Sequence, residues 1–125
     1  MNLLLDTHVL LWWLADDPTL GEEARSAIGD ADNLTFVSAA SVWEIVIKKS
    51  LGKLELPTSF AEVLAREGFQ SLNVTAEHAL RLESLPHHHR DPFDRMLVAQ
   101  CQVEELTLVT KDPEIPKYDV RVMRA

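Results

Sequence analysis

The stretch Asn2-Leu3-Leu4-Leu5-Asp6-Thr7-His8, running straight into Val9-Leu10-Leu11-Trp12-Trp13-Leu14, decides the fold. Three leucines between polar residues suit a short buried strand, whereas the longer apolar span after Thr7 suits a helix. The predicted order is strand, turn at Asp6-Thr7, helix, which places Asp6 at the carboxyl end of the strand. In an open α/β sheet that end is where ligands bind. Asp is also a common helix N-cap, so on this stretch alone capping and chemistry stand side by side.

Working outward, Gly21 to Ile28 reads as a short surface helix ending near Gly29, and Leu34-Thr35-Phe36-Val37 as a second strand bounded by Asn33 and Ser38. A helix from about Ser41 to Ser50 carries Val42, Trp43, Ile45, Val46 and Ile47. Gly52 is its natural stop, with Pro57 beyond. Ser59-Phe60-Ala61-Glu62 has the form of a capping box, opening a helix with Phe60, Val63 and Leu64 on one stripe until Gly68. Residues 69–74 form a weak third strand. Thr75 starts a helix with Ala79, Leu82 and Leu85 on one side, closed by Pro86. After the His87-His88-His89 loop, Asp91-Pro92 opens a helix to about Glu104, since Pro is favoured at the first helical position. Leu106-Thr107-Leu108-Val109 and Val120-Arg121-Val122-Met123 complete five strands. Strands separated by helices imply parallel pairing, right-handed crossovers and a sheet covered on both faces. The predicted fold is α/β: a three-layer α/β/α sandwich in one domain over residues 1–125.

The bulk numbers narrow the class. A chain of 125 residues is long enough for a proper core, and 46% hydrophobic with 26% charged residues is the composition of a soluble globular protein. There is no basic, cleavable leader and no apolar run of about 18 residues, so no secretory signal and no membrane span are expected. Cys101 is the only cysteine, which excludes an internal disulfide and fits a buried, inert thiol in a cytoplasmic protein. The net charge of −8 argues against a module that grips phosphate backbones by charge alone. Acids gathered around metal ions invert the local sign, so metal-dependent enzymes stay open.

Four acids stand where structure alone accounts for them poorly. Glu44 lies inside Val42-Trp43-Glu44-Ile45-Val46-Ile47, a helical segment apolar almost all round. A carboxylate is rarely buried without a partner, because desolvating the charge costs several kcal/mol or raises its pKa. Lys48, one turn on, offers an i,i+4 surface pair of about 0.3–0.5 kcal/mol; the alternative aims Glu44 into a metal cluster. In Arg90-Asp91-Pro92-Phe93-Asp94-Arg95, Asp91 takes the N-cap, Pro92 the first and Asp94 the third helical position. A capping box would explain both acids, yet the positive helix end also favours an ionised Asp94 suited to a divalent metal. Capping is assigned to Asp91 and chemistry to Asp94. Leu108-Val109-Thr110-Lys111-Asp112-Pro113 is another strand ending in hydroxyl and acid, where a turn before Pro113 is the structural alternative. Asp6 and Asp112 thus end strands, and Glu44 and Asp94 lie near the starts of helices that should begin at the same sheet edge. Four converging acids repel unless cations neutralise them, and hard oxygen donors suit Mg2+ or Mn2+ rather than Zn2+.

These motifs, Asp6-Thr7-His8-Val9-Leu10-Leu11-Trp12, Val42-Trp43-Glu44-Ile45, Asp91-Pro92-Phe93-Asp94-Arg95 and Thr110-Lys111-Asp112, resemble in order those of PIN-domain nucleases, and more narrowly the VapC-type toxins of bacterial toxin–antitoxin pairs. The resemblance implies a sheet of order 3-2-1-4-5 and Mg2+ or Mn2+ held by Asp6, Glu44, Asp94 and Asp112. It also implies endonucleolytic cleavage of RNA, commonly tRNA or rRNA, a small cognate antitoxin, and a homodimer to which Trp12 and Trp13 would contribute unless they are core. Thr7, Thr110, Asp91 and Arg95 are candidates to orient the acids or meet substrate. Lys48, Lys49, Lys53, Arg90 and Arg95 are the cations available to RNA, and Arg95 could instead pair with an acid of the cluster. The His87-His88-His89 tract has no cysteine nearby and no ligand spacing to His78, which disfavours tetrahedral zinc; His89 is a candidate substrate contact. Two other classes compete: a catalytically inactive PIN-like binding module, and a signalling domain with Asp6 as phospho-acceptor.

Overall fold

The computed structural model describes residues 1–56 and 59–125. In chain order the elements are β1 (Asn2–Leu5), α1 (Thr7–Leu14), α2 (Glu22–Gly29), β2 (Leu34–Ser38), α3 (Ala39–Ser50), α4 (Phe60–Arg66), β3 (Gln70–Leu72), α5 (Ala76–Arg81), α6 (Pro92–Glu104), β4 (Thr107–Thr110) and β5 (Arg121–Arg124). A 3-10 turn, Leu82–Ser84, extends α5, and another, Ile115–Lys117, precedes β5. The five strands pair in parallel in the order β3-β2-β1-β4-β5, as expected.

The leucine run explains why β1 is central. Leu3, Leu4 and Leu5 are all 0% exposed, which only a strand covered on both faces requires. Leu3 and Leu5 point into one core with Val9, Leu10, Ile45 and Val109; Leu4 points into the other with Leu97, Val98, Leu106 and Leu108. Leu5 pairs with Val109, and the Asp6 N–H then bonds the Val109 carbonyl at 3.1 Å. That last rung carries Asp6 off the strand end beside β4. Trp12 and Trp13 are half-buried against the first core, and the Trp13 indole donates to Glu67 at 3.0 Å. Cys101 is buried in the second core, where burial pushes its thiol well above the ordinary range.

Several local expectations are corrected. Helix α3 begins at Ala39, because the Ser38 hydroxyl accepts the Ala40 N–H at 3.0 Å and caps it there. It is not apolar all round in its setting: Glu44 is buried while Trp43 and Val46 face solvent. Ser59 sits at the N-cap of α4 but makes no side-chain capping bond, so the capping box with Glu62 does not form. Gly52 and Gly68, both at φ +71, occupy left-handed turns beyond α3 and α4 that an L side chain resists. Pro57 lies outside the described residues. On α5 the inward position belongs to His78, not Ala79, which is exposed. Thr75 and His78 form the reciprocal capping box there: each side chain accepts the other's backbone N–H. β3 is limited to three residues, and β4 and β5 each lie one residue later than expected, so that Thr110 ends β4 inside the ladder. Among the described residues no helix is long and apolar enough to cross a membrane.

Candidate active site

The carboxyl ends of β1 and β4 are neighbours, and α3 and α6 start beside them. Asp6 is the N-cap of α1: its Oδ1 accepts the His8 N–H at 2.8 Å. Its Oδ2 accepts the Thr110 hydroxyl at 2.6 Å, so the capping and site readings hold one oxygen each. Burial works against the charge on Asp6, but the bonds from His8 and Thr110 outweigh it and keep the carboxyl below its usual pKa. The His8 imidazole, 3.6 Å from Oδ1, is raised in turn, chiefly by its bond to Asp6.

Glu44 is 4% exposed. Its Oε1 accepts from Thr7 Oγ1 at 2.8 Å, itself 3.0 Å from Ser41 Oγ, and its Oε2 meets Lys48 Nζ at 2.8 Å. The Lys48 partner foreseen from the sequence is real, but the pair is anchored on a buried carboxylate rather than lying on the surface. The hydrogen bond to Glu44 raises the Lys48 pKa, with burial opposing and Asp91 and Asp94 adding to it.

Asp91 caps α6, its Oδ1 accepting from the N–H groups of Phe93 at 2.8 Å and Asp94 at 3.4 Å. Asp112 turns the chain after β4: Oδ1 accepts the Glu114 N–H at 2.9 Å, and its own N–H donates to the Thr110 hydroxyl at 3.0 Å. Thr110 therefore links Asp6 to Asp112. Asp94 differs from the rest. His89 meets its Oδ2 at 3.2 Å, and among the described residues no protein donor reaches Oδ1. Burial, then the charges of Asp6 and Asp91, push its pKa up to about 7, with Glu44 adding to this and His89 opposing it. The helix terminus favours the ionised form of Asp94, while burial and the charges of Asp6, Asp91 and Glu44 oppose it and leave the carboxyl above its ordinary range.

Two side chains, His89 and Tyr118, take larger parts than the sequence motifs suggest. His89 Nε2 lies 2.6 Å from Asp112 Oδ2, bringing Asp94 and Asp112 together through one ring. Burial lowers the His89 pKa, but the bond to Asp112 and the charges of Asp94, Asp112 and Asp91 leave it raised. Tyr118, buried and 29 residues away, accepts the His89 N–H at 2.9 Å. Arg95 does not pair with the acids; it donates to the Pro86 carbonyl at 2.8 Å and the Tyr118 hydroxyl at 3.3 Å, bracing the 86–91 loop. Arg90 is exposed beside a 340 Å³ cavity that it shares with Glu44, Lys48 and Phe93, while Lys49 lies on the exposed end of α3 and Lys53 in the exposed turn beyond it.

The donor set fits a hard divalent cation. All the acids offer oxygen, the cluster is short of positive charge, and the carboxylate with a free oxygen is the one that burial and then neighbouring charge drive toward its neutral form.

Comparison with known proteins bears on the fold and the family. The PIN domain model matches residues 3–121. The chain is 34% identical over 121 residues to Ribonuclease VapC22 of Mycobacterium tuberculosis, a match covering 94% of this chain and 92% of that protein. Two crystal structures share the fold. VapBC2 from Rickettsia felis, bound to a promoter DNA fragment, superposes with a TM-score of 0.75 at 13% identity over 98% of each chain. DNA-bound VapBC from Salmonella typhimurium gives 0.68 at 18% identity over 98% of this chain and 97% of that one.

Proposed function

Because the chain belongs to the PIN domain family, on its VapC side, we propose that it is a divalent-metal-dependent endoribonuclease acting as the toxin of a toxin–antitoxin pair. One observation carries this reading: Asp94 and Asp112 converge on His89 while Thr110 joins Asp112 to Asp6, and burial followed by the charges of Asp6 and Asp91 raises Asp94 to about 7.

Asp6 and Asp94, with Glu44 and Asp112, would hold Mg2+ or Mn2+. When bound, such an ion polarises phosphoryl oxygens and makes an attacking water more acidic. The chain's own groups prepare the place. Thr110 fixes Asp6 and the turn at Asp112, and Thr7 with Lys48 fixes Glu44. Asp94 presents the open oxygen. Lys48 and Arg90 line the adjoining cavity and supply local positive charge for an RNA backbone in an acidic protein. Both Asp6 oxygens are engaged by donors, which counts against a phospho-acceptor role.

Incubation of purified protein with total RNA and Mn2+, beside Asp94→Asn, is the test. Cleavage by the wild type and none by the folded variant is the expected result. Full activity in Asp94→Asn would sink the assignment, and absence of cleavage by both would point to a binding module. The same reading carries a small antitoxin and a homodimer, checked by co-purification and by sedimentation.

A further inference from the structure

The His87-His88-His89 tract is left without a role by the proposed chemistry, yet its last member sits among the acids. His89 Nε2, an Asp94 oxygen and an Asp112 oxygen lie within 4.8 Å of one another, a spacing that by itself would suit a metal-binding trio. The other side of the ring decides against that. The Asp91 N–H points at His89 Nδ1 at 3.0 Å, and an N–H donor needs a lone pair to meet. The neutral ring therefore carries its hydrogen on Nε2, where a ligand would need a lone pair. A metal-ligating histidine shows the reverse pattern, donating its remote N–H to an acceptor. The ring is also held from behind: the His89 N–H donates to Tyr118, and Arg95 ties Tyr118 to the Pro86 carbonyl.

Building on the metal-dependent reading, we infer that His89 is a positioning residue, a hydrogen-bond strap from Nε2–H across Asp94 and Asp112, and not a nitrogen ligand. Two carboxylates that would splay apart by repulsion are kept facing one point. The site it leaves is all oxygen.

The experiment combines ring NMR with metal binding on the full chain. Long-range 1H–15N spectra of the metal-free protein place the His89 proton on Nε2. Mn2+ titration followed by electron paramagnetic resonance shows His89→Ala weakened by about 10- to 100-fold, the range for losing a group that orients metal ligands. His89→Gln, whose amide nitrogen can donate from near the Nε2 position, recovers most of the loss. Tyr118→Phe, which keeps the ring packed but frees the strap, gives an intermediate affinity. A proton on Nδ1, a His89→Gln no better than His89→Ala, or a His89→Ala as tight as wild type would each overturn the strap. Wild-type protein that binds no Mn2+ would instead overturn the metal-dependent reading, while the ring spectra would still decide where the His89 proton sits.

Discussion

Asp94 carries the least compensated charge of the cluster, and its substitution separates chemistry from stability. Its pKa of about 7 when folded lies far above the unfolded value of 3.8. The folded state therefore holds an extra proton between those values, and the group's contribution to stability declines as pH rises from about 4 to 7. Asp94→Asn removes both the charge and this dependence. The metal-free variant is expected to melt at or above the wild-type temperature at pH 8, with the difference shrinking toward pH 5, while RNA cleavage is lost. A variant that melts lower at pH 8 would show that Asp94 is a structural residue. At this scale the sequence already singles out the acids, although only Asp6, Asp94 and Asp112 follow a strand or open a helix, and Glu44 lies midway along α3. The raised pKa of Asp94 was not legible there, because it comes first from burial and then from the charge of Asp6, both supplied only by the fold, with Asp91 adding locally. The His89 contact to Asp112 spans 23 residues for the same reason and leaves no local signature.

Among the elements, β1 and α6 were readable because each combines a strong local pattern with a clear boundary: leucines ending at Asp6, and Asp91-Pro92 opening a helix. Helix α3 shows where such reading slips. Trp43-Glu44-Ile45 marks a helix, but its start is set by Ser38, which is simultaneously the last residue of β2 and the cap. Ser38 is 0% exposed, so nothing else can satisfy the first turn from solvent. Ser38→Ala is expected to cost about 1 kcal/mol in chemical denaturation. Because α3 delivers Glu44, the same variant should also weaken Mn2+ binding; unchanged denaturation and unchanged binding together would show that the cap does not set the helix. Ser59 illustrates the opposite error. Its spacing to Glu62 satisfies the capping-box pattern, yet its backbone at φ −106, ψ 33 does not offer the extended cap geometry.

For the whole molecule, the balance of charge predicts how metal and pH act together. A cation that binds only the folded state stabilises it by about 2.7 kcal/mol at a hundredfold excess over its Kd. Since Asp94 must release its proton to bind, the melting shift caused by Mn2+ should be larger at pH 8 than at pH 6, and abolished by EDTA. A shift independent of pH would place the metal away from Asp94. The order β3-β2-β1-β4-β5 has a consequence in time as well as in space. Asp6 is made early, but the hydroxyl that fixes it, Thr110, lies 104 residues later and in the neighbouring strand. Pairings of that sequence separation form late in folding. A chain still on the ribosome, or one cut short before β4, holds Asp6, Glu44 and even Asp94 without Thr110, which fixes Asp6, and without Asp112, which shares His89 with Asp94. Such fragments should be inert toward RNA, so that synthesis of the last strands is itself the step that arms the molecule.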